Sequence, residues 1–326
     1  MRFPFRRKTT IQTRLAPFPL APGWLERFRL RANRFRRPGL QGGHLTRRQG
    51  SSLEFREFTP YAPGDDVRHV DWRTSARFGD EHDLLVRRFV AEERLTLAVS
   101  VDLRPSMRLP QGLPKLQIAA WLAEALSRVA LANGDRVLLH GLFCRGDAVE
   151  TLVGSHATHR VRSSLERWSD PANETAHANL EGLRRALPPA SVWVLISDLY
   201  FSGPEQIAPL ARFFTTARMG FRWLLLVDLD AWPMEHTLLG SGPRLVQGPN
   251  LAHPDPRFDI DTDSLARVAQ RIQRAKQAFL QQIHLAPGGY HTWSWPQTSR
   301  ADGSRFFRER LAEDTLLQRL FMKDSG

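Results

Sequence analysis

From about Leu95 onward, apolar runs of strand length alternate with segments whose apolar residues recur at helical spacing. Leu95–Val101 reads as a strand, and Leu116, Ala119, Leu122, Leu126 and Val129 mark a helix that Asn133-Gly134 ends. A second strand is expected at Val137–Phe143, with Ala148–Val153 returning as its hairpin partner. Leu180, Leu183 and Leu187 place a helix that Pro188-Pro189 stops, and Ser191–Ile196 reads as a buried strand. Pro204 opens a further helix through Ile207, Leu210 and Phe214, which Gly220 ends before a strand at Phe221–Val227. A long helix over residues 263–285, a strand at Tyr290–Trp295 and a terminal helix from about Arg305 to Phe321 continue the order. This rhythm predicts an α/β fold: a doubly wound, mainly parallel sheet with helices on both faces.

Composition narrows the class. Of 326 residues, 42% are hydrophobic and 25% charged, an ordinary globular balance that excludes disorder, collagen and coiled coil. Cys144 is the single cysteine, so no internal disulfide or cysteine-rich zinc site is available; with no secretory segment ahead of it, the chain reads as cytoplasmic. The longest apolar runs, Ser191–Ile196 and Trp223–Val227, end near Asp198 and Asp228, well short of the ~20 residues that span a bilayer.

The formal net charge of +12 is concentrated at one end. Residues 1–37 hold 11 Lys or Arg against Glu26 alone, whereas the remaining 289 residues balance 35 basic against 33 acidic side chains. A balanced body argues against a polyanion partner, which leaves nucleic-acid binding or peripheral contact with the inner face of a membrane to residues 1–37. Prolines 4, 17, 19 and 22 break any helix there, and residues 1–22 read as a mobile arm. Trp24, Phe28, Ala32 and Phe35 then recur at helical spacing among arginines, which predicts a short basic amphipathic helix packed on the body.

Residues 38–94 form a separate charged segment, expected to pack on the main domain, 95–326. Within it, Asp65, Asp66, Arg68, Asp71 and Arg77 follow the Pro63-Gly64 turn, and Arg47 and Glu54 precede it. Clustered carboxylates can bind two metals for phosphodiester cleavage, but the spacing matches no nuclease motif. Capping and ion pairing across buried aromatics is the preferred reading.

In open α/β sheets, function collects where the chain leaves the carboxyl ends of the strands. Two such exits are polar: Asp102-Leu103-Arg104-Pro105-Ser106 and Ser197-Asp198, with Thr175 as a third oxygen donor ahead of the helix carrying Leu180. Carboxylates and hydroxyls of this kind suit Mg²⁺. No Gly-rich phosphate loop and no Gly-x-Ser-x-Gly elbow is present. The pair His156 and His159, without a cysteine or acid beside it, reads as a solvated loop, and Cys144 reads as a buried structural thiol.

The set Gly43-His44-Leu45-Thr46-Arg47, Gly50, Glu54-Phe55, Tyr61-Ala62-Pro63-Gly64-Asp65-Asp66, Arg68, Asp71-Trp72 and Ala76-Arg77, continuing through Glu93-Arg94 to Asp102, resembles the domain-of-unknown-function 58 family. The resemblance extends more weakly over most of residues 40–320. It implies a von Willebrand factor A-like domain that acts with a MoxR-type AAA+ ATPase in protein maturation or complex assembly, through that partner or an unidentified client protein, without an established enzymatic activity. It also implies a metal-ion-dependent adhesion motif, Asp-x-Ser-x-Ser. Asp102 and Ser106 match that motif, Thr175 and Asp198 match the remaining ligands, and Arg104 stands where the first serine belongs. A permanently charged guanidinium can supply the charge a cation would bring. The expectation is therefore a degenerate, metal-free site in which Arg104 pairs Asp102 and Asp198 at a partner-binding edge. A Mg²⁺ site on Asp102, Ser106, Thr175 and Asp198, serving a phosphoester hydrolase or nuclease, is the alternative.

Overall fold

The computed structural model describes residues 14–21, 25, 28–30, 53–78, 84–91, 95–188, 191–217, 223–240, 244–247, 257–283, 285, 289–295, 302–315 and 320–323. The chain divides into two compact units, one of Met1–Arg37 with Leu95–Gly326 and one of Pro38–Arg94.

In chain order, β1 (Phe28–Leu30) belongs to the larger unit. The smaller unit holds β2 (Leu53–Pro60), α1 (Trp72–Phe78) and β3 (Leu85–Ala91), with β2 and β3 paired antiparallel. The larger unit continues with β4 (Thr96–Asp102), α2 (Lys115–Ala132), β5 (Arg136–Leu142), β6 (Val149–Val153), α3 (His159–Trp168) and α4 (Glu181–Ala186). Then come β7 (Val192–Ser197), α5 (Pro204–Ala217), β8 (Trp223–Asp230), α6 (Trp232–Leu239), and the antiparallel pair β9 (Arg244–Gln247) and β10 (Arg257–Ile260). Next are α7 (Thr262–Ile283), β11 (Tyr290–Ser294), α8 (Gly303–Glu313) and β12 (Phe321–Lys323).

Six strands form one sheet in the order β11-β8-β7-β4-β5-β6. Every neighbouring pair is parallel except β5 with β6, the hairpin at one edge. The fold is thus the expected doubly wound α/β arrangement with one antiparallel edge strand. The two-residue period of a strand explains why both faces are covered. Along β4, Leu97, Val99 and Val101 join the core under α2 with Leu116, Leu122 and Leu126, whereas Ala98 joins the opposite core. Along β7, Val192, Val194 and Ile196 follow the first group, and Trp193 and Leu195 pack with Leu210 and Phe214 of α5 and Phe279 of α7. Each such large side chain contributes roughly 1.5–3 kcal/mol by leaving water. α2 ends where expected: Asn133 caps it with bonds to Val129 and Ala130, and Gly134 takes φ +79°, a left-handed value that glycine adopts without strain.

Three expectations need correction. Phe28–Leu30, placed by spacing in a basic helix, is a strand paired antiparallel with β12. The pairing partner lies almost three hundred residues away, so no local pattern encodes it. The terminal helix, expected to run to Phe321, ends at Glu313, and Phe321 opens β12. The arm read as mobile is anchored over residues 14–21: Leu15 is buried, and Phe18 and Leu20 pack on the core. The remainder of the arm, residues 1–13 and 22, lies outside the described residues, as do Trp24, Ala32 and Phe35 of the expected helix. Sequence spacing also passed over α3, α6, the β2–β3 hairpin and the β9–β10 hairpin.

Candidate functional site

Asp102 is the last residue of β4, and Asp198 directly follows β7, the adjacent parallel strand. Both acids therefore sit side by side at the carboxyl edge of the sheet, and both are fully buried. Arg104 turns back between them. Pro105 starts a short 3-10 helix and holds the Arg104 backbone extended, φ −58° and ψ 155°, which leaves the side chain free to fold onto the strand it has just left. Its Nη2 lies 2.5 Å from Asp102 Oδ2 and 3.2 Å from Asp198 Oδ1. Nε donates to both Asp102 oxygens at 3.1 and 3.0 Å, and the Arg104 backbone N–H donates to Oδ1 at 3.0 Å. Nη1 donates to the Tyr200 carbonyl at 2.8 Å and to Gln206 Oε1 at 3.2 Å. The rings of Phe143 and Phe201 flank the guanidinium at 4.8 and 4.7 Å. At 5% exposure, the cation is sealed inside the edge.

A second cation completes the arrangement from a direction the sequence did not reveal. Lys115, the first residue of α2, has no exposed surface, and its Nζ lies 2.9 Å from Asp198 Oδ2 and 2.7 Å from Glu235 Oε1 of α6. Its Nζ also stands 4.0 Å from the Tyr200 ring centroid. One signal was available: a lysine at a helix N-terminus opposes the helix dipole, so it needs a specific acid. Across the Tyr200 ring, Lys276 of α7 pairs with Asp228 at 3.0 Å and with Asp230 at 3.6 Å, and the Tyr290 hydroxyl donates to Asp228 Oδ2 at 2.6 Å.

The charges have physical consequences. Burial pushes the Asp198 carboxyl up, but Lys115 and Arg104 more than offset this and hold it down at about 2. Burial works against the Arg104 cation, and Asp102 and Asp198 nevertheless raise it above its ordinary range. At Asp228 burial prevails over Lys276, and the carboxyl rises to about 6. Burial, with Glu235 and Asp198 nearby, likewise raises the Tyr200 phenol.

Divalent-cation ligation can be tested on these atoms. Both Asp102 oxygens accept from Arg104, and Ser197 Oγ adds a bond of 2.6 Å to Oδ2. Asp198 Oδ1 accepts from Arg104 and from the Tyr200 backbone N–H, and Oδ2 faces Lys115. Two fixed positive groups thus occupy the coordination directions, and the residues do not fit Mg²⁺. Ser106 and Thr175 stand apart from the cluster. Ser106 Oγ is buried without a hydrogen-bond partner among the described residues, and Thr175 belongs to the exit of β5, its N–H donating to the Phe143 carbonyl. Of the five residues expected at this edge, Asp102, Arg104 and Asp198 meet and are buried, whereas Ser106 and Thr175 keep partial exposure.

The sequence model of a family described as protein of unknown function DUF58 matches residues 57–274, about two thirds of the chain. The chain belongs to the DUF58 family. Uncharacterized proteins of Mycobacterium bovis and Mycobacterium tuberculosis are 28% identical to it over 172 residues. The aligned region is 51% of this chain and 52% of each relative, so the DUF58 chain spans about half the length of the curated relatives it matches. Among solved structures, the conserved hypothetical protein BatB from Bacteroides thetaiotaomicron is 13% identical, covering 67% of this chain and 100% of its own, with a TM-score of 0.37. An aerotolerance-related membrane protein from Bacteroides fragilis is 14% identical, covering 69% and 99%, with a TM-score of 0.36.

The acidic-arginine set of the DUF58 chain lies in the smaller unit, where its described acids bond to nearby backbone N–H groups and to Arg87. Asp65 Oδ2 accepts from the Ala62 N–H at 3.1 Å, and Asp66 Oδ1 accepts from the Arg68 N–H at 3.0 Å, closing the turn after Pro63-Gly64. Asp71 caps α1 by accepting from the N–H groups of Arg73 and Thr74. The bond from Thr74 and the pairing with Arg87 hold its carboxyl below the usual range. Arg87 is thus the cation that sequence reading missed, while Arg68 and Arg77 are exposed. Arg47 and the side chain of Glu54 lie outside the described residues. His159 Nδ1 donates to the His156 carbonyl at 2.6 Å, and among the described residues no group of three or more His, Cys, Asp or Glu is placed to hold a metal ion. Cys144 is buried, and burial pushes its thiol up.

Proposed function

We propose that this DUF58 chain is a non-catalytic, von Willebrand factor A-like interaction module. In this reading its strand-end edge docks a MoxR-type AAA+ ATPase, or that partner's client, during protein maturation or complex assembly. One observation carries it: the acids at the carboxyl edge are neutralised from within by Arg104 and Lys115. A hydrolase needs a base with a free lone pair facing its substrate, or a nucleophile beside such a base. The oxygens of Asp102 and Asp198 are committed to guanidinium, ammonium, hydroxyl and backbone donors. Docking requires only a rigid rim, which a buried ion-pair network supports. We assign the work to the cytoplasm, with residues 1–37 available to an anionic membrane face; no described helix is long and apolar enough to cross a bilayer.

The test is binding of the purified full-length chain to a purified MoxR-type ATPase encoded in the same genome, read by biolayer interferometry. The expected result is saturable binding that Thr175→Arg at the partly exposed rim weakens about tenfold, a change of about 1.4 kcal/mol, without altering the melting temperature. Failure of the folded chain to bind overturns the proposal. So does phosphatase or nuclease turnover with added Mg²⁺ that Asp102→Ala abolishes.

A further inference from the structure

Residues 14–21 read Arg-Leu-Ala-Pro-Phe-Pro-Leu-Ala and carry no regular secondary structure, yet they are held on the larger unit by bonds from three side chains to their backbone. Glu166 Oε1 of α3 accepts from the Leu15 N–H at 2.9 Å. Gln117 of α2 reads both backbone groups of Ala16: its Oε1 accepts from the N–H at 2.7 Å and its Nε2 donates to the carbonyl at 3.4 Å. One turn along α2, Trp121 Nε1 donates to the carbonyls of Ala16 at 3.2 Å and Pro17 at 2.9 Å. The Phe18 ring meets Phe307 of α8 edge-on at 6.0 Å, with the Arg128 guanidinium 5.0 Å from its centroid, and Leu15 is 5% exposed.

We infer that this groove between α2, α3 and α8 is a recognition site for an extended, proline-punctuated apolar peptide. Residues 14–21 are its resident ligand, and a partner protein's segment of the same chemistry is what it exchanges for them. The bonds go to backbone groups, which any chain carries, so the groove does not depend on covalent attachment of its ligand. Selectivity comes from the apolar seats of Leu15, Phe18 and Leu20 and from the prolines. Pro17 and Pro19 restrict Ala16 and Phe18 to extended backbone before binding. A preorganised segment docked on an aromatic groove with an indole N–H to its carbonyl is the general mode of proline-rich recognition. A partner in trans is favoured over a second copy of this chain because β1, seven residues beyond Ala21, is paired with β12, so exchanging whole arms would also break that ladder.

The experiment uses the full-length chain and a fluorescein-labelled synthetic peptide of residues 14–21, followed by fluorescence anisotropy. In Leu15→Asp/Phe18→Asp, whose own arm no longer fits, we expect saturable binding. The wild type should bind at least about tenfold more weakly, because its tethered arm competes at high effective concentration. Adding Gln117→Ala and Trp121→Phe should weaken peptide binding about tenfold or more, as should a peptide with both prolines replaced by alanine. No saturable binding to an arm variant with wild-type circular dichroism overturns the inference, as does binding indifferent to Gln117 and Trp121. A wild-type dimer with exchanged arms overturns the assignment to a partner in trans. If the arm variant does not fold, amide exchange on the wild type decides: excess peptide should speed exchange at Leu15 and Ala16 about tenfold, and unchanged exchange at millimolar peptide counts against the groove.

Discussion

Two buried charge clusters share the carboxyl edge of the sheet, and they resolve the cost of burial in opposite ways. At the exits of β4 and β7, two cations, Arg104 and Lys115, converge on Asp198, and the carboxylate is more acidic than in water. At the exit of β8, Lys276 is the one cation among the described residues that pairs with Asp228 and Asp230, and Asp228 is harder to ionise than in water. The acids are of one type and comparably buried; the number and reach of the counter-charges differ. Asp198 is thus locked in its charged form across physiological pH, whereas Asp228 approaches its titration range. A strand-end acid therefore announces a polar edge without saying whether that edge is fixed or responsive.

The largest expected effect comes from removing a cation at the locked cluster. Arg104→Met leaves Asp102 and Asp198 buried with Lys115 alone, and breaking a buried pair in this way should lower unfolding free energy by about 3–5 kcal/mol, read by urea denaturation. Arg104→Lys should recover only part of this, because an ammonium cannot reproduce the fork that spans both acids and the Tyr200 carbonyl. A loss below about 1 kcal/mol would place Arg104 with surface ion pairs and end the contrast between the clusters.

Next in size is the pH dependence of the responsive cluster. Asp228 has a folded value of about 6 against 3.8 for the free side chain, so between those pH values the folded state holds the proton more tightly than the unfolded state. Stability should fall as pH rises from about 4 to about 6 and then level off, by roughly 3 kcal/mol over the window. Asp228→Asn should remove that slope from the stability profile. A wild-type profile matching the variant's through this window would show that Lys276 suffices to keep Asp228 ionised.

Asp198 should give the opposite sign in a lower window. Its folded value of about 2 lies below 3.8, so its contribution is present above about pH 4 and is lost as pH falls toward 2. The expected loss is roughly 2 kcal/mol, seen as the difference between wild type and Asp198→Asn in acid denaturation. Equal acid slopes in the two proteins would mean that Lys115 and Arg104 do not hold Asp198 as tightly as their distances imply.

The two clusters also differ in how far the sequence disclosed them. Asp102, Asp198 and the counter-ion role of Arg104 were legible because all three sit at or beside strand ends, where an apolar run of strand length stops at or just before an acid. Lys115, Glu235 and Lys276 were not. Lys115 reaches across 120 positions to Glu235, and Lys276 reaches 48 positions to Asp228. A lysine within an amphipathic helix carries the same local signature whether it faces water or an acid inside the protein. The sheet followed from alternation for the reason that made β1 and β12 illegible: period reports which face is buried, never which distant strand is the partner. Helix α3 was missed because His159, Arg160, Arg162 and Arg167 dilute the apolar stripe of Val161, Leu165 and Trp168.

The smallest expected effect is the most direct check on the adhesion-site reading. Ser106 occupies the position of the second motif serine, yet its Oγ is buried and bonds to nothing among the described residues. In a working metal site that hydroxyl would be a ligand, and its removal would be costly. Here Arg104 and Lys115 already neutralise the acids, and an unpaired buried hydroxyl carries a desolvation penalty with no compensating bond. Ser106→Ala should therefore leave stability within about 0.5 kcal/mol of wild type, or raise it slightly, in the same urea experiment that registers Arg104→Met. A loss above about 1 kcal/mol would mean that the hydroxyl has a partner, and added Mg²⁺ would identify it. Metal that stabilises the wild type and not the Ser106→Ala variant would show that a cation displaces Arg104 from Asp102, returning the locked cluster to the open, ligand-accepting class from which Arg104 separates it.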